Sequence, residues 1–311
     1  MQSIKQTISN FATGITDKST FIRTMYEEHH AALFDYAEYL SKTNIKKIEI
    51  EDGHVIVTTR DRGVRIACSP GDIRIAPIET LNFFDYEKAD SDMIDNLVSE
   101  DDNFFDIGAN IGWYSINIAV SRRAAKVYCF EPIPKTYGYL QRNLELNSVP
   151  NVLSHNFGFS NQAGEFTFYY YPGGSVNASS ANVTGRDDVK TVQCRVRTLD
   201  DYTSETKVRV DFIKCDVEGA ELLVFQGGSS TISRDKPIVF SEILRKWSAK
   251  FNYNPNEIFD YFRLQGYQAF TVKGRLLSKF SRMDEETVET NFFFLHLEKH
   301  KNIILRFANA D

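Results

Sequence analysis

Between Phe104 and Gly112 the chain reads Phe-Phe-Asp-Ile-Gly-Ala-Asn-Ile-Gly, and Glu131-Pro132 closes the next apolar run. A strand, a glycine-punctuated turn, a helix, and a carboxylate at the end of the following strand can bind an adenosine-containing cofactor. The glycines let the backbone approach the ligand, and the carboxylate accepts hydrogen bonds from ribose hydroxyls. A dinucleotide site would carry Gly-x-Gly-x-x-Gly. Here Asp106 holds the first position, Asn110 the second and Ser115 the third, so the turn is poorly suited to a pyrophosphate. A ligand with an amino-acid tail fits better. The turn N–H groups and helix N-terminus favour its carboxylate, and Asp106 can lie near its ammonium or sulfonium group. That ligand is S-adenosyl-L-methionine. The expected cofactor-binding residues are Asp106, Gly108, Ala109, Asn110, Gly112, Glu131 and Pro132. The bland alternatives are a plain strand–turn–helix, a surface acid beside a proline, and an asparagine that merely tolerates a left-handed turn.

A second cluster runs from Asp211 to Glu221, Asp-Phe-Ile-Lys-Cys-Asp-Val-Glu-Gly-Ala-Glu. Alternation along a strand end would place Lys214, Asp216 and Glu218 on one face, and Glu221 could reach the same side from the following helix. A buried lysine and two acids are costly unless paired or used. One of these groups could act as general base toward a hydroxyl, which makes Lys214, Asp216, Glu218 and Glu242 the candidate catalytic residues. Asp216 and Glu218 could also hold a divalent metal such as magnesium through oxygen ligands. The structural alternative has Glu218 capping a helix and Lys214 neutralising Asp216. Glu87, after Tyr86, is read either as a site acid or as the first turn of an exposed helix. His155 reads as a satisfied strand histidine.

These residues need a frame. From Asn103 onward strands alternate with helices: Phe104–Ile107, Lys126–Phe130, Val152–Phe159, Phe212–Val217 and Ile238–Ile243 are strand-like, and Tyr267–Val272 and Phe292–Leu297 close the sheet. That alternation demands a parallel sheet covered on both faces. A detour over residues 161–200 reads as an inserted hairpin that turns at Pro172-Gly173-Gly174, and it would hang over the carboxyl ends of the strands. Residues 1–97 read as an accessory module of helices followed by a hairpin, Ile45–Ile50 and His54–Thr59 around Glu51-Asp52-Gly53. Residues 98–311 form the cofactor-binding domain.

Composition narrows the partners. The chain has 311 residues, 42% hydrophobic and 25% charged, with net charge −6. That charge argues against nucleic acid. No segment is long enough to span a bilayer and no apolar leader opens the chain, so a cytoplasmic protein is expected. Cys68, Cys129, Cys194 and Cys215 lack metal or redox spacing and read as buried thiols.

Taken in order, Tyr86-Glu87, Asp106-Ile-Gly-Ala-Asn-Ile-Gly, Phe130-Glu131-Pro132, Phe212-Ile-Lys-Cys-Asp-Val-Glu-Gly-Ala-Glu221 and Glu242 resemble the FkbM family of S-adenosylmethionine-dependent methyltransferases. Asn143 and Asn147 also fit that family's second helix. The resemblance covers roughly residues 80 to 245. It implies a class I, Rossmann-like doubly wound α/β sheet of seven strands, the last antiparallel. It further implies O-methylation of a hydroxyl on a sugar, glycan or natural product. An NAD-dependent oxidoreductase and a non-catalytic nucleotide-binding module are the other readings. The accessory module could dimerise the chain or cover the acceptor site.

Overall fold

The computed structural model describes residues 2–171, 178–185 and 187–308. The expected turn at Pro172-Gly173-Gly174 lies outside them. The chain opens with helices Ile4–Ala12, Lys18–Met25 and Ala31–Tyr39. They bury only Thr7 and leave Ile8, Ile22, Leu33 and Phe34 exposed. Strands β1 (Ile45–Glu51), β2 (His54–Thr59) and β3 (Arg65–Cys68) then form an antiparallel sheet in the order β1-β2-β3. The hairpin turns where Asp52 and Gly53 both take positive φ, at 50° and 76°, the conformation an Asp-Gly turn supplies.

Strands β4 (Asn103–Ile107), β5 (Lys126–Phe130) and β6 (Val152–His155) begin the main sheet. β7 (Gly158–Phe159), β8 (Gly164–Tyr170) and β9 (Lys190–Arg197) form a small sheet of their own. β10 (Phe212–Cys215), β11 (Ile238–Glu242), β12 (Tyr267–Lys273), β13 (Leu276–Phe280) and β14 (Asn291–His296) complete the main one. Its order is β13-β12-β14-β11-β10-β4-β5-β6. The five strands from β11 to β6 run parallel, and β14 lies antiparallel to both β11 and β12. Seven of these eight strands match the expected sheet. β13 is an addition, a hairpin partner that turns at Gly274 (φ 66°) and blunts the edge of β12.

The strands read as continuous apolar runs because both faces are covered. Period-2 alternation sorts their side chains. Phe104, Phe212, Phe240 and Phe293 join one buried cluster, and Phe105, Ile213, Val239 and Phe292 join the other. The first cluster also contains Val57, Val64 and Ile66 from the accessory sheet. One apolar core therefore crosses the expected boundary at residues 97 and 98.

The accessory sheet is also tied to the main domain by polar bonds. β3 pairs with β2 on one side only. Its other edge meets the helix Pro134–Asn147, where Arg65 N donates to Asn147 Oδ1 (2.8 Å) and Asn147 Nδ2 to Arg65 O (2.6 Å). Ala67 N donates to Asn143 Oδ1 (2.8 Å), and Asn143 Nδ2 donates to Ile111 O (2.8 Å). Asn143 thus joins the β3 edge to the turn after β4. Asn143→Ala would orphan a buried N–H and a buried C=O, and is expected to lower stability by about 2–4 kcal/mol. A urea midpoint equal to wild type would show that this tie contributes nothing.

One expected strand is broken. Val152–Phe159 divides into β6 and β7, and β7 leaves the main sheet to run parallel to β9. The break is at Asn156, whose Nδ2 donates to Glu131 O (2.8 Å) and Pro132 O (3.1 Å). That asparagine holds the bend without glycine or proline. Helices Ala76–Phe83, Leu199–Thr206, Ser229–Asp235 and Lys301–Phe307 were not anticipated. All four cysteines are unpaired and buried. Among the described residues no helix is long and apolar enough to cross a membrane.

Candidate active site

The tips of β4, β5 and β10 meet at two adjoining cavities. A narrow pocket of about 60 Å³ is lined by Gly108, Asn110, Glu131 and Pro132. Phe166, Phe168 and Val196 of strands β8 and β9 also line it. Beside it lies a cavity of about 530 Å³, and Asn110, Asp216 and Glu218 line both.

The turn after β4 takes left-handed backbone at Gly108 (φ 76°), Asn110 (φ 49°) and Gly112 (φ 93°). Gly108 N and Ala109 N both donate to Phe130 O (3.0 Å each), which fastens the turn to β5. Glu131 closes the arrangement. Asn110 N donates to its Oε2 (3.0 Å) and Ile133 N to its Oε1 (2.8 Å). Each carboxylate oxygen keeps a further lone pair. Burial pushes the Glu131 carboxyl up to about 7, against the pull of the two backbone N–H groups. The Asn110 side-chain oxygen is buried without a hydrogen-bond partner. An orphaned acceptor beside a glycine turn and a carboxylate is what a site for a polar ligand retains.

Not every expected residue faces these cavities. Asp106 is fully buried and accepts from Ser115 N (3.1 Å) and Ser115 Oγ (2.6 Å). It lines neither cavity. Its carboxylate holds the start of the helix Trp113–Ser121, since Ser115 lies in that helix's unsatisfied first turn. Gly112 is likewise set back, since a Cβ there would lie 2.6 Å from Leu140 Cδ1. Ala109 is nearly buried and borders the larger cavity.

Lys214 lies beside Asp106 across the β4–β10 pairing. Its Nζ donates to Gly108 O (2.7 Å) and sits 3.3 Å from Asp106 Oδ1 and 3.6 Å from Asp216 Oδ2. Burial would pull this lysine down, but Asp106 and Asp216 more than reverse it and hold the ammonium above its ordinary value. Lysine and two acids on one face was the expected pattern, but its members differ. The strand stops at Cys215, and Glu218 sits in a left-handed turn (φ 57°), off the alternation. Glu221 secures the backbone there. It accepts from Gly219 N (2.9 Å) and Val217 N (3.2 Å), and Tyr253 donates to it (3.3 Å).

Glu242, at the tip of β11, faces the larger cavity with Asp216, Glu218 and Glu87. Burial first, and then those three carboxylates, push its carboxyl well above the ordinary range. Glu87 is half-buried and is held by Tyr114, whose hydroxyl donates to it, and by Asn291 Nδ2 (3.5 Å). Glu87 does stand at the start of a helix, as the N-cap of Lys88–Leu97, but half-buried rather than exposed. His155 stacks on Phe130 at 5.1 Å and shares a hydrogen bond with Tyr202 at 3.0 Å, as a satisfied strand histidine should. Among the described residues no group of three or more His, Cys, Asp or Glu is arranged to hold a metal ion. The two carboxylates considered for magnesium, Asp216 and Glu218, both line the two cavities.

Reading the sequence missed several cavity residues. Arg74, Glu79 and Phe83 come from the unanticipated helix and its approach, and Leu244 and Trp247 follow β11. The Pro77 signal at the start of Ala76–Phe83 could have revealed that helix. Nothing local marks Trp247.

The strand order and the carboxylate at the second strand tip define a class I methyltransferase sheet. The chain belongs to the FkbM methyltransferase domain family, whose model matches residues 106–269. Methyltransferase 1 of Beauveria bassiana (strain ARSEF 2860) is 30% identical over 146 residues, covering 41% of this chain and 59% of that protein. Methyltransferase sdnD of Sordaria araneosa is 30% identical over 151 residues, covering 39% of this chain and 58% of that protein. The 2-O-methyltransferase NoeI of Sinorhizobium fredii (strain NBRC 101917 / NGR234) is 24% identical over 163 residues, covering 48% and 66%. The matches thus span about three fifths of the length of these relatives. A crystal structure of an FkbM methyltransferase from Methylobacillus flagellatus KT aligns over 63% of this chain and 44% of that one, at 20% identity and TM-score 0.42. With the family in place, the oxidoreductase reading falls.

Proposed function

We propose that the protein is an S-adenosylmethionine-dependent O-methyltransferase acting on a hydroxyl of a sugar, glycan or natural product. The observation that carries this reading is the Glu131 carboxylate, pinned by two backbone N–H groups at the mouth of a pocket beside a left-handed glycine turn. S-adenosylmethionine, when bound, supplies an electrophilic methyl group; the protein's contribution is alignment. Glu131 accepts from both ribose hydroxyls. Gly108 and Asn110 give the methionine end close approach to backbone, and the orphaned Asn110 oxygen gains a donor. Asp106 acts from behind the turn by holding Ser115 and Lys214. In the larger cavity Lys214 Nζ, 3.6 Å from Asp216 Oδ2, orients that carboxylate. Asp216 accepts the acceptor hydroxyl's proton, while Glu242, with its raised affinity for protons, donates a hydrogen bond that positions the acceptor. The 2-O-methyltransferase name of NoeI supports the choice of oxygen.

Calorimetry with S-adenosylhomocysteine tests the assignment. Accepting two hydroxyls needs Glu131 ionised, and its folded carboxyl titrates near 7. Affinity should be fully present above that value and be lost as pH falls through it, about tenfold between pH 8 and pH 6. Binding that ignores pH over this range would remove Glu131 from the ribose. Paired replacement Asp216→Asn and Glu218→Gln should leave that affinity in place and stop methyl transfer.

A further inference from the structure

The larger cavity is built only in part by the family domain. Its outer wall comes from the segment Arg74–Glu87, which precedes the matched residues and contributes Arg74, Glu79, Phe83, Tyr86 and Glu87. This wall is braced. Asn44 N donates to Phe84 O (2.7 Å), Asn44 Nδ2 to Asp85 Oδ1 (3.3 Å), and the Tyr39 hydroxyl to Leu81 O. Phe84 (φ 73°) and Glu87 (φ 43°) are both left-handed without being glycine. Strain of that kind, held by bonds from a separate segment, gathers where a clamp or ligand contact is needed. Phe83 stands 67% exposed at the cavity mouth.

The lining also limits what can enter. Six carboxylates (Glu79, Asp85, Glu87, Asp216, Glu218, Glu242) face three cations. Two of those cations are occupied: Arg74 pairs with Glu79 at 2.9 Å, and Lys214 serves the turn. The third, Lys246, lies over the Trp247 ring at 5.0 Å. Carboxyl oxygens are chiefly hydrogen-bond acceptors, and Glu242 alone is assigned as a donor, so the fitting ligand is rich in donors and carries no negative charge. Tyr86, Trp113 and Trp247 add aromatic surface suited to the apolar face of a ring. The volume, about 530 Å³, lies in the small-molecule range.

We propose that Arg74–Glu87 is the specificity-determining wall for the acceptor, with Phe83 at its mouth, and that the cavity takes an uncharged sugar ring and rejects anionic sugars. This rests on the methyltransferase reading above and narrows it. Both tryptophans of the chain, Trp113 and Trp247, line this cavity, so intrinsic fluorescence reports directly on occupancy. Protein saturated with S-adenosylhomocysteine would be titrated with methyl α-glucopyranoside, methyl α-mannopyranoside and methyl α-rhamnopyranoside, and in parallel with glucuronate and glucose 6-phosphate. At least one neutral glycoside should give a saturable change, with both anionic sugars at least about tenfold weaker. Phe83→Ala, at an exposed position, should weaken the neutral sugar by about fivefold and leave S-adenosylhomocysteine affinity unchanged. Three results would each overturn the proposal: no neutral glycoside binds, anionic sugars bind equally well, or Phe83→Ala changes nothing. Failure of S-adenosylhomocysteine itself to bind strikes the cofactor assignment and the wall together. Normal cofactor binding with an indifferent sugar response strikes the wall alone.

Discussion

Glu131→Ala is expected to abolish calorimetric binding of S-adenosylmethionine. Each ribose hydroxyl donating to a carboxylate contributes about 1.5–3 kcal/mol. Losing two such bonds weakens affinity by more than about 100-fold. The substitution also frees Asn110 N and Ile133 N, which now donate to Glu131 at 3.0 and 2.8 Å, so the turn itself loosens. Glu131→Gln separates these effects. It keeps one acceptor oxygen and the side chain's shape but loses the charge, and its affinity should fall between wild type and Ala. Undiminished binding by a folded Ala variant would mean that the ribose is held elsewhere.

Gly108→Ala should damage the fold at the same place. A Cβ at Gly108 would lie 1.9 Å from the carbonyl oxygen of Asp216. That oxygen is backbone and cannot swing aside. The φ of 76° is itself unfavourable for alanine. The turn would have to part from β10, giving up the bond from Lys214 Nζ to Gly108 O. A cost on the order of 3–5 kcal/mol follows, lowering the melting temperature by roughly 10 °C. Gly138→Ala is the control, since it lies in the helix Pro134–Asn147 with nothing within 4 Å of its would-be Cβ. That change should stabilise slightly, by about 0.5–1 kcal/mol. Equal melting of the two variants would discredit the close packing of turn against strand.

Much of the sheet was legible because its strands are buried on both faces. Phe104–Ile107, Lys126–Phe130 and Phe212–Cys215 are short apolar runs between glycine, proline and charged punctuation. The Glu131 position followed from the same rule, as the first carboxylate after a strand. Asp106 was harder. Its partner Ser115 lies nine residues on in sequence, and in a one-dimensional reading it merely occupies a face of a helix. Only the fold shows that the aspartate is spent on that serine and on Lys214. Glu218 was misplaced for a related reason: alternation was carried past Cys215, where the strand has already ended. The bend at Asn156 depends on two carbonyls of another strand's tip, and no local signal encodes that. The cavity wall was least legible, because Phe83 and Trp247 lie far apart in sequence and line one cavity only in the folded chain.

The tie made by Asn143 reaches beyond stability. A shortened protein beginning at residue 98 would retain every residue of the family match. It would nevertheless leave the Asn143 oxygen without the Ala67 N–H, and remove Val57, Val64 and Ile66 from the apolar cluster that also holds Ile111 and Ile116. The span recognised by kinship and the span sharing a single interior are, in this chain, different lengths.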